Sequence, residues 1–298
     1  CAGRRHPTQL TGHVGRPTSG HLWPSWSVVR SSWSLRPACR EAGAGCLALG
    51  HAVHGHDRGQ EALERLGEVQ AIVQAARVSY GEGTKTVRED AALIDYLMRH
   101  RHTSPFEMVV FKFHVKAPIF VARQWFRHRT ASVNEISGRY SILKEEFYEP
   151  EAFRKQAKRN KQASEGALLD EEALALLRKV EQEAYGAYRA LLEKGVAREM
   201  ARMVLPLNLY TEFYWKQDLH NLFHFLKLRL APEAQWEIRQ YARAIAEIVK
   251  ERVPLAWAAF EEHLLEGAFL SRTELRALRG LLTPEVYEKA LSSLGLGG

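Results

Sequence analysis

The run from Gln124 to Tyr140, QWFRHRTASVNEISGRY, constrains the fold more than any other part of the sequence. It combines three arginines with aromatic and branched apolar side chains that favour burial. A solvated surface has no need of apolar residues between its charges. The run therefore predicts the wall of a pocket, and its guanidinium groups suit an anionic, planar ligand.

Length and composition predict a globular chain with a sizeable core. The 298 residues are 46% hydrophobic, which is enough for one large domain or two small ones. No apolar run approaches the roughly 20 residues that a membrane helix needs. We therefore expect a soluble protein without membrane contact.

The charge distribution bears on nucleic-acid binding. The formal net charge is +7, but residues 1–56 alone contribute six Arg against the single acid Glu41, which leaves a net charge of only +2 for the rest. A duplex-binding protein concentrates its cations on a folded face. We therefore do not expect a nucleic-acid partner.

Residues 1–56 differ from the rest of the chain. They hold Gly, Ser, Pro and Arg without sustained periodicity, and all three cysteines, so a disulfide framework and a cysteine-ligated zinc are excluded elsewhere. We expect a disordered or non-native tail. The composition superficially resembles a transit peptide without a clear amphipathic helix, and a cloning remnant or an over-long upstream translation is favoured.

Beyond this tail, hydrophobic periodicity predicts alternating helices and strands. Asp218 is expected to cap one helix and Gly195 to end another. The last thirty or so residues are expected to form an appended pair of helices. The predicted elements are helices over 60–76 and 91–100, a strand over 108–116, a short helix after Pro118, helices over 168–194 and 198–204, a strand over 207–215, and helices over 219–230 and 232–253.

Two motifs admit both a structural and a chemical interpretation. The segment from Ser104 to Glu107 has the form of a capping box, and a helix N-terminus also suits an anion, so the two roles are compatible. His220 and His224 stand four residues apart, which is the spacing of a two-histidine metal site, of a packed pair, or of ligand contacts. The glutamate of the zinc-protease motif is missing between them.

Ser137 and Arg229 also have alternative roles. Ser137 precedes Gly138, where backbone amides can approach an anion, so it suits phosphate binding. A nucleophilic Ser137 would need a base, for which His128 is the candidate. Arg229 ends a predicted helix, where a cation is favoured by the helix dipole alone.

The pattern Arg-His-Arg, seven residues and then Ser resembles the signature of the flavin-dependent thymidylate synthases, the ThyX family. Several separated segments within residues 60–265 resemble the family in the same order, among them Leu226–Arg229 followed by Gln235–Glu237. The chain outside 1–56 also lacks the cysteine nucleophile of the unrelated thymidylate synthases.

The resemblance implies a set of site residues. Arg229 is the expected catalytic residue, which would stabilise negative charge on the uracil ring so that C5 becomes a better nucleophile. The expected cofactor-binding residues are Ser104, Arg127, His128, Arg129, Glu135, Asp218, Leu219, His220 and His224. The expected substrate-binding residues are Gln124, Trp125, Phe126, Arg127, Glu135, Ile136, Ser137, Gly138, Arg139, Arg202 and Arg229.

The resemblance also implies fold, assembly and reaction. The expected fold is α/β, a twisted sheet flanked by helices, in a catalytic domain over residues 57–265 with a helical extension over 266–298. The expected protein is a cytoplasmic homotetramer whose active sites draw on more than one subunit. FAD reduced by NADPH would supply hydride and methylenetetrahydrofolate the one-carbon unit, converting dUMP to dTMP without a metal.

Two other functions fit the sequence less well. A basic nucleic-acid-binding protein requires excess positive charge outside the tail, where the net charge is +2. A metallohydrolase built on His220 and His224 lacks an acidic partner at a useful spacing.

Overall fold

The computed structural model describes the backbone of residues 47–50, 68–70 and 87–88, and residues 71–78, 89–158 and 164–293. Its strands are β1 (Leu47–Gly50), β2 (Val110–Pro118), β3 (Ser132–Glu135), β4 (Phe153–Gln156), β5 (Ser164–Leu168) and β6 (Tyr210–Asp218). Its helices are α1 (Glu68–Arg77), α2 (Val87–Arg99), α3 (Ser104–Glu107), α4 (Ile119–Trp125), α5 (Glu171–Glu193), α6 (Arg198–Ala201), α7 (Leu219–Leu230), α8 (Trp236–Arg252), α9 (Pro254–Phe260), α10 (Arg272–Leu281) and α11 (Pro284–Ser293).

The central sheet has four antiparallel strands in the order β1-β2-β6-β3, and β4 and β5 form a separate hairpin. The long strands β2 and β6 pair over their full length, from Val110 opposite Asp218 to Pro118 opposite Tyr210. The α/β class predicted from the sequence is confirmed. No described helix is long and apolar enough to cross a membrane.

One face of the sheet is the floor of the core. Phe111, Phe113 and Val115 of β2 alternate with half-buried polar residues, as the sequence predicts for a half-buried strand. Phe213 and Trp215 of β6 lie on the same buried face, and the rings of Phe113 and Trp215 stack 5.8 Å apart. Helices α1, α2, α3, α4, α7, α8 and α9 also contribute buried side chains to this core.

Trp125, the last residue of α4, is fully buried at the centre of this core. Its ring lies 5.5 Å from that of Phe213 and 5.4 Å from that of Trp215, both on β6. It also lies 5.1 Å from Phe225 on α7 and 5.6 Å from Tyr241 on α8. The residues that follow α4 are therefore fixed relative to the sheet and to α7.

Several helix ends follow the sequence prediction. The carboxylate of Asp218 caps α7 by accepting the backbone N–H of Asn221 at 2.9 Å. Gly195 follows α5 with a positive φ of 81°, and its N–H donates to the carbonyl of Leu192. The appended pair of helices is present as α10 and α11.

Three predictions of local structure are corrected. Ser104 is the first residue of α3 rather than its cap, Thr103 occupies the cap position without a side-chain hydrogen bond, and the predicted capping box is absent. The helix predicted from Pro232 begins at Trp236, because a turn with a hydrogen bond from Ala234 to Ala231 precedes it.

The third correction concerns the N-terminal tail. Leu47–Gly50 form β1 by pairing with the free edge of β2, although residues 1–56 were expected to lack regular structure. Backbone pairing at an open sheet edge is available to a short segment that sequence periodicity does not mark. The rest of residues 1–56 lies outside the described residues.

Two glycines associated with α5 provide a matched test of backbone conformation. Gly195→Ala should lower the free energy of unfolding by about 1 kcal/mol, because a side chain is strained at its positive φ. Gly186→Ala should raise it by about 0.5–1 kcal/mol, because Gly186 lies inside α5 and a Cβ there meets no atom within 4 Å. Urea denaturation of both variants measures the difference, and a stabilised Gly195→Ala variant would contradict it.

Candidate functional site

The Arg127–Arg129 segment leaves the core directly after Trp125. Phe126 packs its ring 4.9 Å from that of Phe213, and the N–H of His128 donates to the carbonyl of Trp125 at 3.0 Å. This turn directs His128 inward, where it is half-buried, and leaves Arg127 and Arg129 exposed. Neither arginine forms an ion pair with any described residue, so both cations are free to bind an anion.

His128 contacts Arg229, 101 residues further along the chain. Nε of Arg229 donates to Nε2 of His128 at 3.0 Å, so the imidazole is the acceptor and its proton lies on Nδ1. Burial, followed by the charge of Arg229 and by His224, lowers the pKa of His128 to about 4. His128 is therefore neutral at physiological pH and retains one N–H for a ligand.

Arg229 lies in the last turn of α7 and is half-buried. Burial lowers the pKa of its guanidinium, which nevertheless stays charged at any working pH. Its Nε is taken up by His128, and its two terminal nitrogens make no further hydrogen bond to a described residue. The planar end of the side chain is thus oriented and available to a ligand.

A cavity of about 240 Å³ lies between α2, α3 and α7. His102 and Thr103, which precede Ser104, line one side, and His220 and His224 of α7 line the other. The ring of His224 also lies 6.0 Å from that of His128, so the cavity adjoins the Arg127–Arg129 segment. Residues predicted separately from the sequence are thereby brought to one site.

Three residues of this cavity were missed in the sequence. The ring of Phe269 contacts two cations, with the guanidinium carbon of Arg101 4.3 Å and Nζ of Lys227 4.7 Å from its centroid. Arg101 has a φ of +58°, which is rare for a residue with a side chain. Lys227 lies one turn after His224 and could have been found from that spacing, whereas Phe269 belongs to a segment distant in sequence.

Asp218 and Leu219, also predicted to bind the cofactor, have structural roles. The Asp218 carboxylate accepts the backbone N–H and the side-chain amide of Asn221. Leu219 is fully buried, so only its backbone can reach a ligand. Among the described residues, no group of three or more His, Cys, Asp or Glu side chains could hold a metal ion.

A second group of predicted residues surrounds Gly138. The hydroxyl oxygen of Ser137 accepts the N–H of Arg139 at 3.3 Å, and Nε of Arg139 pairs with Glu199 at 3.1 Å. A Cβ on Gly138 would lie 3.2 Å from Cδ of Arg202, so the glycine allows that arginine to approach the backbone. No described imidazole or carboxylate accepts a hydrogen bond from Ser137, which leaves the nucleophile hypothesis without its base.

The remaining predicted substrate residues are divided between core and surface. The side chain of Trp125 is fully buried, so only its backbone can contact a ligand, whereas that of Phe126 is half-buried and packs on Phe213. Glu135 accepts the hydroxyl of Thr211 at 2.6 Å, and Ile136 is exposed. Gln124 is half-buried and donates its amide to Gln235.

Two arginines without a described ion pair, a neutral histidine and an oriented guanidinium lie next to a cavity that Arg101 and Lys227 help to line, and together they form a candidate site for an anionic ligand. The chain belongs to the family described as Thymidylate synthase complementing protein, which matches residues 63–255.

The names of similar proteins are consistent with this family assignment. Over 236 residues the chain is 97% identical to proteins named flavin-dependent thymidylate synthase from two strains of Thermus thermophilus, covering 79% of this chain and 87% of each relative. A protein of the same name from Treponema denticola is 57% identical over 228 residues, covering 74% of this chain and 85% of that relative.

Solved structures show the same fold. Crystal structures of a UMP/dUMP methylase, PolB from Streptomyces cacaoi, bound with 5-Br UMP and with 5-Br dUMP, match with TM-scores of 0.62 and 0.64. Each is 32% identical and covers 73% of this chain and 94% of the matched chain.

The neutral state of His128 can be tested by pH titration. We expect its NMR-detected pKa to be about 4, and to rise in Arg229→Gln, because a neighbouring cation is lost while burial remains. Arg123→Gln, which alters an exposed cation of α4, should leave it unchanged.

The same titration affects folding. His128 takes up a proton near pH 6.5 in the unfolded state but only near pH 4 in the folded state. The contribution of His128 to the free energy of unfolding is therefore complete above pH 6.5 and is lost as the pH falls towards 4. A pKa near 6.5 in the folded parent protein would contradict the arrangement.

Proposed function

We propose that this chain is a flavin-dependent thymidylate synthase that converts dUMP to dTMP, with FAD as cofactor and NADPH and methylenetetrahydrofolate as co-substrates. The contact between His128 and Arg229 carries this proposal, because it joins the Arg127–Arg129 segment to the arginine expected at the uracil ring. The relatives of the same name and the nucleotide-bound structures support it.

The residues present fit a flavin dinucleotide. Arg127 and Arg129 have no ion-pair partner among the described residues and can donate to a pyrophosphate. His128 is neutral and can donate through Nδ1–H, while His220, His224 and the backbone near Ser104 border the adjoining cavity. The bound flavin supplies, in its reduced form, the hydride that the reaction requires.

Arg229 polarises the substrate in this proposal. Its Nε is held by His128, which leaves both terminal nitrogens to donate to one edge of the uracil ring. A guanidinium at that edge stabilises the negative charge that develops on N3 and O4 when C5 attacks the one-carbon unit. Because its position is fixed before the substrate binds, little reorganisation is needed in the transition state.

The group around Gly138 binds the nucleotide phosphate in this proposal. Ser137, the backbone at Gly138, Arg139 and Arg202 provide donors suited to a dianion. The carboxylate of Glu199 pairs with Arg139, and the backbone carbonyl of Glu199 accepts from Nε of Arg202 at 3.4 Å, so both side chains are oriented before the phosphate arrives.

Assembly as a homotetramer with shared active sites is part of the proposal. No hydrogen bond or ion pair between described residues joins the Gly138 group to His128 and Arg229, as expected if they serve different active sites. Exposed apolar side chains lie next to the Gly138 group, and such patches favour subunit contacts. They are Val133, Ile136, Tyr140, Ile142, Met200, Met203, Val204 and Leu207.

The proposed catalytic domain comprises residues 57–265, followed by an extension over 266–298. The family match over 63–255 lies within the domain, and α10 and α11 lie within the extension. We place the enzyme in the cytoplasm, where dUMP, NADPH and folates are available. No observation favours a nucleic-acid-binding function.

A single substitution tests the reaction and the role of Arg229. The parent protein should show a flavin absorption band and form dTMP from dUMP, methylenetetrahydrofolate and NADPH. Arg229→Lys should keep the flavin but lose at least about tenfold in kcat, because a point charge cannot replace a planar fork. Arg123→Lys, on an exposed part of α4, is the control.

Two results would contradict these assignments. A parent protein that stays colourless with FAD and forms no dTMP would overturn the function. Normal turnover in Arg229→Lys would overturn only the role of that arginine.

A second substitution tests the shared sites. Met203 is 73% exposed beside Arg202, and Met203→Glu should dissociate the tetramer and abolish dTMP formation. Leu281→Glu, on an apolar residue of α10 that is 83% exposed, should change neither property. Sedimentation measures the assembly, and full activity in a dissociated Met203→Glu protein would show that each site lies within one subunit.

A further inference from the structure

Glu237 is a charged residue in the core that none of the roles above uses. It lies at the start of α8, is only 5% exposed, and belongs to the Gln235–Glu237 segment that follows Arg229 in sequence. Its ion-pair partner among the described residues is Arg154, whose Nη2 lies 2.5 Å from Oε1 of the carboxylate. A buried carboxylate needs such a partner, together with hydrogen bonds to its other lone pairs.

Both oxygens of Glu237 accept hydrogen bonds. Oε1 accepts from Arg154 and from the hydroxyl of Tyr148, the latter at 3.1 Å. Oε2 accepts from Nε2 of Gln235 at 2.9 Å. Burial and the neighbouring Glu237 raise the pKa of Tyr148, so its hydroxyl remains a donor. Paired with the Arg154 guanidinium, the Glu237 carboxylate acts as an acceptor, and Gln235 is the donor of the hydrogen bond between them.

This requirement is transmitted to Gln124. Because Nε2 of Gln235 points to Glu237, its Oε1 faces the other way, and it accepts the side-chain amide of Gln124. Gln124 must therefore donate from Nε2 to Gln235. Its own Oε1, which has no hydrogen-bond partner among the described residues, is left for a ligand.

We propose that Glu237 is a positioning residue that acts on Gln124 through Gln235. Its carboxylate fixes the orientation of both amides, so that the side-chain oxygen of Gln124 faces the nucleotide. Gln124 then selects a nucleotide group that donates a hydrogen bond. The inference rests on the proposed role of Gln124 in binding dUMP. An amide can bind with either end, and without a fixed anion the two orientations of Gln124 would differ little in energy. dUMP offers two donors of this kind, the imide N–H of its base and the hydroxyl of its sugar.

The variant Glu237→Gln tests the direction of these hydrogen bonds. A glutamine at this position still offers an oxygen to Arg154 and Tyr148, but it turns an N–H towards Gln235. Gln235 then reverses and donates to the oxygen of Gln124, which in turn presents its N–H groups to the nucleotide donor. Two donors would face each other, and a hydrogen bond would be replaced by an unfavourable contact.

Tyr148→Phe is the matched control. It removes one hydrogen bond from Glu237 but leaves the anion, Arg154 and the direction of the hydrogen bonds unchanged. Its thermal stability should fall by the loss of one hydrogen bond, which is less than in Glu237→Gln, where the charge opposite Arg154 is also removed. Its nucleotide binding should stay close to that of the parent protein, because Gln124 keeps its orientation.

The measurement is calorimetric titration of the flavin-loaded full chain with dUMP, combined with steady-state kinetics. Glu237→Gln should raise the dUMP Kd and KM by about tenfold or more while kcat at saturating dUMP changes by less than about threefold. Tyr148→Phe should bind within about twofold of the parent protein. Equal losses in both variants, or parental affinity in Glu237→Gln, would overturn the proposal.

Two analogues distinguish the nucleotide donors. N3-methyl-dUMP lacks the imide N–H and 3′-deoxy-dUMP lacks the sugar hydroxyl. The analogue that the parent protein and Glu237→Gln bind equally identifies the group facing Gln124. If the variant weakens both analogues as much as dUMP, the proposal is overturned.

Gln124→Ala separates this inference from the assignment on which it rests. Weaker dUMP binding in Gln124→Ala, with parental binding in Glu237→Gln, would overturn the positioning role alone. Parental dUMP affinity in Gln124→Ala would remove Gln124 from the site and the inference with it. Formation of dTMP by the parent protein would show that the enzyme's function stands in either case.

Discussion

The burial of Trp125 is the constraint on which the site depends. Its indole ring contacts side chains of β6, α7 and α8 at once, so α4 has a single position against the sheet and both helices. The loop that follows begins at that fixed point. His128 is therefore held at a fixed position relative to Arg229, with which it forms a hydrogen bond although the two residues are 101 positions apart in sequence.

The cations of the candidate site differ in whether a carboxylate orients them. Arg139 and Arg154 are held by Glu199 and Glu237, whereas Arg127 and Arg129 have no ion pair among the described residues. A neutral His128 reduces repulsion within this positive region and still offers a donor. Binding of an anionic ligand would relieve the remaining repulsion, so affinity and stability are linked at this site.

Local sequence signals predicted much of the fold. Alternation identified β2, Asp218 identified the start of α7 and Gly195 the end of α5, because each feature acts within a few residues. The four-residue strand β1 and the start of α8 were not predicted correctly. Both depend on tertiary contacts, an open edge of β2 in one case and a preceding turn in the other.

The site was predictable to a similar extent. The Arg127–Arg129 pattern marked the loop, and resemblance connected it to Arg229, but no local pattern indicates that His128 accepts from that arginine. Trp125 and Leu219 lie within segments that resemble the family's binding segments, but their side chains are buried in the core. Phe269 reaches the cavity from outside the matched residues, where neither periodicity nor motif could place it.

The distribution of contacts is compatible with the proposed sharing of active sites between subunits. The Gly138 group is held by α6 and the turn after it, through Glu199 and Arg202, while His128 and Arg229 are held by α4 and α7. Each group is preorganised by its own neighbours and needs no direct contact with the other. In the proposed tetramer, the phosphate site and the base-polarising site would be completed across a subunit boundary, and the exposed side chains of Met203 and Leu207 would supply apolar surface for that contact.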